Sequence, residues 1–336
     1  MRKILFSLLI LGLLTAVGLS QPLSALAAKK IVIRISHTGA ADNEFSQGYE
    51  KFKELVEAKS DGRVEIKIFP NAVLGSDRVA GEAVQQGNLE VVSIATNIMS
   101  SFTKAALAFD MPYVCEEAKM DSYMRALAYG ELGEYLSEQL GKVGLVPFMY
   151  NATAMRSYVY TKKDVKSLAD MKGVKIRATP SPIDVANAKA VGMNPTALAF
   201  DAVYQALQQG TVDGELLSFT SMMSFDRAEI IKYMLVSKHN FPIHIGCMNK
   251  KFYDALPEDI KQIIHESAKE AQEYEWAIMQ KLEADGLEYC RKNGVTVNFM
   301  TPEQQAELKQ AFQKVWDEFM PQLDPKMVEL ISAAQK

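Results

Sequence analysis

Apolar positions along the chain switch repeatedly between a period of two and a period near 3.6. IVIRIS at Ile31–Ser36 and VEIKIF at Val64–Phe69 read as strands, the second alternating cleanly. Between them Phe45, Tyr49, Phe52, Leu55 and Val56 recur at helical spacing, behind a helix cap at Asp42 or Asn43. Pro70 stops the second strand. Leu74-Gly75 leads into a helix through Val79, Ala83 and Val84, Gly87 closes it, and residues 89–95 form the next strand. Strand, helix, strand, helix, strand predicts a mostly parallel sheet with crossover helices.

The same alternation returns in the second half. Residues 174–178 (VKIRA) make a short strand that puts Ile176 and Ala178 on one face and Lys175 and Arg177 on the other. Thr179-Pro180-Ser181-Pro182 breaks it. Residues 201–207 have helical spacing, Gly210 stops them, and Val212-Asp213-Gly214 enters another strand. Helical material spans 118–140, and residues 143–154 and 241–248 each hold a further strand. The longest helical pattern starts at Pro257-Glu258-Asp259 and runs through Ile260, Ile264, Ala268, Ala271, Tyr274, Ile278 and Leu282 toward Cys290. That is about 30 residues, on the order of 45 Å at about 1.5 Å per residue. One lobe is too small for it, so it is expected to cross two. Thr301-Pro302-Glu303 opens another helix with Leu308, Phe312 and Trp316.

The chain start adds a compartment. Arg2 and Lys3 precede an apolar run over 4–17, and Ala25-Leu26-Ala27 has the form of a cleavage site. Residues 1–27 are expected to be a signal peptide, with a mature chain from about Ala28 in the periplasm. A retained anchor is the alternative. The 336 residues, 48% hydrophobic and 23% charged, suit two globular units, and the net charge of −4 gives no reason to expect nucleic acid as a partner. Cys115, Cys247 and Cys290 are widely spaced, which argues against a zinc site and for buried free thiols.

Candidate chemistry is sparse. Arg177 ends a strand and Arg156 precedes one. Ligands collect beyond the carboxyl ends of strands in such sheets, and a guanidinium fork can hold a carboxylate through two parallel bonds. Each could equally be a surface arginine. His37 follows the first strand and is either a structural histidine or a polar ligand contact. His239, His244 and His265 lack metal-ligand spacing, and five residues put His239 and His244 on opposite faces of a strand. No nucleophile elbow, zincin motif or phosphate loop occurs, so neither a metal nor another cofactor is expected. Asp213 and Glu215 are the one candidate acid–base pair.

The segment KGVKIR ending at Arg177, Gly192-Met193-Asn194-Pro195, the stretch FDAVYQALQQG from Phe200 to Gly210 and Val212-Asp213-Gly214 together resemble the extracytoplasmic solute-binding proteins of TRAP transporters, the DctP family. Leu74-Gly75, the loop at 109–112 and Leu256-Pro257-Glu258 extend the resemblance over almost all of the mature chain. It implies a type II-like, two-lobed α/β periplasmic binding protein with a long C-terminal helix crossing both lobes. Lobe I would hold 28–152 and about 242–280, and lobe II 153–241 and about 281–336. It implies no enzyme, but a protein that closes on a carboxylate and hands it to membrane permease subunits. Arg177 would clamp the carboxylate with Arg156 in support, and Phe200 and His37 would line the cleft. Thr96, Asn97, Leu217, Phe219, His239 and Phe241 complete the expected set. This chain departs from the family at Ala202, where an acidic residue is common, and at Leu217, where a polar one is. With the apolar run 216–225, this favours a monocarboxylate with an apolar or aromatic body, such as an aromatic or branched 2-oxo or amino acid. A C4-dicarboxylate or sugar acid is the alternative. A secreted enzyme using Asp213 or Glu215, and a ligand sensor for a membrane receptor, are the competing classes.

Overall fold

In the computed structural model, which describes residues 30–335, the strands gather into two sheets joined by crossing segments. The expected signal peptide lies outside the described residues. The strands are β1 (Ile31–Ser36), β2 (Val64–Phe69), β3 (Val91–Ala95), β4 (Leu145–Ala152), β5 (Arg156–Tyr160), β6 (Lys175–Ala178), β7 (Asn194–Ala197), β8 (Gly214–Leu217), β9 (Tyr233–Asn240), β10 (Ile243–Asn249) and β11 (Thr296–Phe299). The first sheet has the order β2-β1-β3-β10-β4 and the second β11-β9-β5-β8-β6-β7. In the first, β1 pairs parallel with β2 and β3, as the βαβαβ pattern requires, and β10 returns antiparallel between β3 and β4. In the second, β6 runs parallel with β7 and β8, while β5 pairs antiparallel with β8 and β9. This is the two-lobed α/β arrangement that the alternating pattern predicts.

Two short strand-to-strand passages connect the lobes. Residues 153–155 carry the chain from β4 to β5, and residues 241–242 carry it from β9 back to β10. The Thr153 hydroxyl donates to the Pro242 carbonyl and ties the two passages side by side. Just before the crossing β9 bulges. Lys238 takes a φ of 45°, and the Ser157 hydroxyl accepts from the amides of both Ser237 and Lys238. Between the pairs Arg156–Asn240 and Tyr158–Leu235, residues 236–239 of β9 face Ser157 alone, an enlarged bulge that bends the strand.

The third connection is the helix Glu258–Lys292. Its 35 residues span roughly 52 Å at about 1.5 Å per residue. Its first half packs Ile260, Ile264, Ala268 and Ala271 against Phe45, Tyr49, Phe52 and Val56 of the helix Glu44–Lys59 in the first lobe. Its second half packs on the short helix Phe219–Ser224 of the second lobe. Gly286 permits that approach, since a Cβ there would lie 2.3 Å from the Phe219 carbonyl oxygen.

The chain end departs from the expected assignment of 281–336 to lobe II. The helix Pro302–Phe319 packs on Pro182–Ala190 of the second lobe, but Pro325–Ala333 crosses over to Glu131–Gly141 of the first. Its Met327, Leu330 and Ile331 join one apolar cluster with Leu132, Leu136 and Leu140, which explains the crossing. The Trp316 indole donates to the Pro112 carbonyl at 3.1 Å, a further tie. All three cysteines are buried and free. Among the described residues no helix is long and apolar enough to cross a membrane.

Candidate functional site

A cavity of about 270 Å³ opens between the two sheets, where the carboxyl ends of the parallel strands face one another. Antiparallel β10 contributes its amino end there, which sets His244 level with Ala95 at the end of β3. The cavity is lined from both lobes and beside the crossing segments, so a bound molecule would touch both halves.

Arg177 reaches the cavity from the end of β6. It is 4% exposed and its guanidinium carbon sits 5.9 Å from the centre of the Phe200 ring. Among the described residues its one hydrogen bond runs from Nε to the Leu198 carbonyl at 3.0 Å. Burial pushes its guanidinium down to about 10 and Glu215 opposes this, so it stays charged at neutral pH. Arg156, first residue of β5, stands beside it. Its Nε donates to Asn240 Oδ1 at 2.8 Å, and Nη2 donates to the same oxygen. That bond joins the two hinge strands and fixes the guanidinium plane.

Behind this wall lies a second buried arginine. Arg227 approaches Glu215 at 3.2 Å, with both side chains inside the protein. Its guanidinium also lies 5.5 Å from the centre of Phe200, 5.7 Å from Phe225 and 5.2 Å from Tyr204. Phe200 and Phe225 meet edge-on at 4.9 Å. Arg227 therefore holds the aromatic wall of the cavity by cation–π contact. Burial pushes the Glu215 carboxyl up, against the pull of Arg227, Arg177 and Arg156.

Of the residues expected from sequence, Arg177, Arg156, Phe200, Leu217 and Asn97 line this one cavity. The other five do not. His37 is 1% exposed, stacked on Tyr49 and edge-on to Phe45, and burial pushes it down to about 4. Thr96 uses its hydroxyl to accept from the Ile243 amide and so secures β10. Phe219 is core packing under the long helix. His239 lies in the interior, stacked on Tyr158 at 4.7 Å with Nδ1 2.8 Å from the Ser237 hydroxyl. Phe241 is buried beside Tyr123. The expectation that His239 and His244 share a strand fails, because Phe241 and Pro242 separate β9 from β10. His244 faces the cavity and stacks on Phe45 at 4.2 Å.

The sequence reading missed Asp77, His244, Glu44, Phe45, Thr179, Ser218 and Phe225, all on the cavity wall. Thr179 directly follows the carboxyl end of β6, and the strand-end rule that singled out Arg177 would have found it, whereas Asp77 stands well past the end of β2, at the start of the next helix. Asp77 is 8% exposed and its Oδ2 accepts from the Ala95 amide at 3.0 Å. Burial pushes it up to about 6, opposed by that amide, the Thr38 hydroxyl and Arg177. Asp213 and Glu215 do not form an acid–base pair on the cavity. Asp213 meets Lys175 at 3.7 Å in a half-exposed setting, whereas Glu215 is enclosed with Arg227. Among the described residues no group of His, Cys, Asp or Glu is arranged to hold a metal ion.

The profile of the bacterial extracellular solute-binding proteins of family 7, DctP, matches residues 35–322. The C4-dicarboxylate-binding periplasmic protein DctP of Rhodobacter capsulatus is 28% identical over 327 residues, 95% of each chain. A TRAP periplasmic solute-binding protein from Desulfovibrio salexigens with bound orotic acid superposes with a TM-score of 0.84 at 26% identity, covering 91% of this chain and 97% of its own. Another from Sulfitobacter sp. NAS-14.1, with bound β-D-galacturonate, gives 0.83 at 26% identity and covers 90% and 99%.

Proposed function

The chain belongs to the DctP family of bacterial extracellular solute-binding proteins, and on that footing we propose that it captures a small organic carboxylate in the periplasm for TRAP membrane permease subunits. The observation that carries this reading is Arg177, a buried guanidinium on the cavity wall whose two terminal amines have no hydrogen-bond partner among the described residues. A carboxylate there accepts two parallel, charge-assisted bonds. Arg156 stands alongside, pre-oriented by Asn240, and Phe200 covers Arg177.

The cycle is conformational. Solute enters between lobes held apart at residues 153–155 and 241–242, and Arg177 takes its carboxylate. The first lobe then closes over the other end of the molecule. Only the solute's extra affinity for the closed form shifts this equilibrium. The closed surface is what a permease would read.

The named solutes of the relatives, a C4-dicarboxylate, orotate and galacturonate, share a carboxylate and differ in the rest. Here Phe200, Leu216, Leu217 and Phe225 give the second-lobe wall an apolar stretch beside the arginines and the hydroxyls of Thr179, Ser218 and Ser221, and that stretch supports a single carboxylate on an apolar or aromatic body. Binding rather than turnover is favoured by the burial of Glu215 against Arg227.

The test is mass spectrometry of small molecules released from freshly purified protein, beside Arg177→Ala. The wild type is expected to release an unmodified carboxylate that the variant lacks. For a solute added back, Arg177→Ala is expected to weaken binding on the order of a hundredfold or more, the equivalent of two charged hydrogen bonds. Equal recovery from both proteins, or a converted product, would refute the reading.

A further inference from the structure

We propose that Asp110 is a positioning residue for the arginine clamp, a first-lobe carboxyl that fixes the turn behind Arg177 and competes with the solute for Arg156. This deepens the carboxylate-binding reading and rests on it.

The turn after Arg177 is held from both lobes. Thr179 and Pro180 line the cavity, and Ser181 caps the helix Pro182–Ala190. Within the second lobe, Asp184 Oδ2 accepts from the Thr179 amide at 2.8 Å and from its hydroxyl at 2.6 Å. The Ser181 oxygen accepts from the Ile183 and Asp184 amides at 3.2 and 3.4 Å. Those bonds leave the Ser181 hydroxyl proton, which is donated to Asp110 Oδ2. Asp110 ends the 3₁₀ turn Lys104–Asp110, which packs on Thr96–Met99 of the first lobe. A cap hydroxyl works through its oxygen and needs no carboxyl partner. Yet Asp110 is 1% exposed, and keeping a carboxyl there costs its hydration. The next residues clasp the second lobe too, since the Tyr113 amide donates to the His239 carbonyl at 2.8 Å.

Charge ties Asp110 to the clamp as well. Burial first, then Asp184, pushes its carboxyl up to about 7, while Ser181, Arg156 and Asn240 hold it down. Arg156 is the guanidinium that Asn240 orients on the cavity wall. It therefore has an anion behind it, and a solute carboxylate would be a second in front. The other groups around Asp110 offer little relief. Arg177 answers to Glu215 and Asp184. His239 is neutral, since burial pushes it down to about 3, and Tyr158 is raised well above its usual range by burial. The remaining charged side chains of the turn, of Pro182–Ala190 and of the helices Glu131–Gly141 and Pro325–Ala333 are exposed, and Thr96–Met99 carries none. A solute carboxylate at Arg156 takes part of the pull on Asp110 and adds a like charge, so it raises the Asp110 carboxyl further. Binding then takes up a proton. Affinity is full while Asp110 is protonated, below about pH 7, and falls as pH rises past it. A proton on Oδ1 leaves Oδ2 free for Ser181, so the contact between the lobes holds in both states.

Calorimetry of orotate and galacturonate from pH 5.5 to pH 8 tests this, read on whichever binds more tightly. Their carboxyls stay ionised over that range. Asp110→Asn keeps an amide oxygen for Ser181 and carries no charge. It is expected to lose affinity with pH less steeply than wild type, and at pH 8 to bind at least about threefold more tightly, as removal of one screened like charge predicts. Asp110→Ala removes the acceptor too, and is expected to bind about two- to tenfold more weakly than Asp110→Asn at every pH, the loss of one neutral hydrogen bond. A pH slope in Asp110→Asn equal to that of wild type would overturn the proposal, and so would Asp110→Ala binding as tightly as Asp110→Asn. Asparagine preserves the Ser181 contact, so a folding defect confined to the alanine variant leaves the slope comparison decisive. Arg177→Ala, run in parallel, keeps the readings apart. Retained binding there sinks the arginine clamp itself, whereas lost binding there with an unchanged slope in Asp110→Asn sinks the Asp110 assignment alone.

Discussion

At Glu215 and Arg227 a buried ion pair does work that neither charge could do alone. Glu215 is fully enclosed and Arg227 nearly so, and Arg177 shares the same carboxylate's field. Removing one member of such a pair strands a charge and typically costs about 3–5 kcal/mol, whereas replacing both by apolar residues of similar volume is often close to neutral. Glu215→Ala is therefore expected to lower the melting temperature by roughly 6–20 °C, taking about 2–4 °C per kcal/mol. The double variant Glu215→Leu with Arg227→Met should recover most of that loss. It should still bind solute more weakly, because Phe200 and Phe225 would lose the guanidinium that orders them. Thermal melts of the two singles and the double close the cycle. A double variant as unstable as the sum of the singles would show that the pair's charges are not what matters. This pair also marks a limit of sequence reading. Glu215 looks like a partner for Asp213 along the chain, and only the fold shows that Arg227 claims it.

The elements that sequence makes legible are those with a strong period. β3 is buried along its whole length, β1 buries Ile33 and Ile35 on one face while Val32 and Arg34 on the other are at least partly exposed, and the long helix keeps its apolar stripe over most of its length. The edge strands β7 (NPTA) and β11 (TVNF) are half exposed and short, so no period announces them. Arg177 is legible because it ends a strand with a clear period. Asp77 and His244 are not, because what buries them comes from β3, Thr38 and Phe45, remote in sequence. Gly286 carries a comparable surprise, since nothing around it in sequence requires a glycine. Its backbone is ordinary helix, and the requirement is the Phe219 carbonyl against it. An alanine there forces the Phe219–Ser224 helix off the spanning helix. Gly286→Ala is expected to destabilise the protein by about 1–3 kcal/mol, as overpacking typically does. Urea unfolding measures this, and an alanine variant of wild-type stability or better would show that the short helix yields freely.

Across the whole molecule, three carboxyls meet where the lobes and the spanning helix come together. Glu44 begins the first lobe's first helix. Glu275 accepts from the Ala152 amide at the end of β4, and Glu283 accepts from the Thr220 amide in the second lobe. Burial first, then like charge, pushes Glu44 up to about 7 and Glu275 well above the ordinary carboxyl range. Burial also pushes Glu283 up to about 7, where Lys238 pulls it down and Glu117 pushes it up. In the unfolded chain these groups titrate near 4.3. Between about pH 4.3 and 7 the folded protein thus binds more protons than the unfolded one, and stability falls as pH rises through that window. The contribution is full below the window and lost above it. Glu283→Gln and Glu44→Gln mimic the protonated form at every pH. Each is expected to reduce the decline in melting temperature between pH 5 and 7.5 without abolishing it. Asp77, raised to about 6, and Asp110, raised to about 7, add slope of the same sign elsewhere. The same protons should bear on closure, because Glu44 lies on one lobe and its neighbour Thr220 on the other. Opening the cleft would hydrate Glu44 and release its proton, so solute affinity should weaken from pH 6 to pH 8 and weaken less in Glu44→Gln. Calorimetry in buffers of different ionisation enthalpy would register proton uptake on binding near pH 7, and binding with no proton exchange there would detach this cluster from the motion of the lobes.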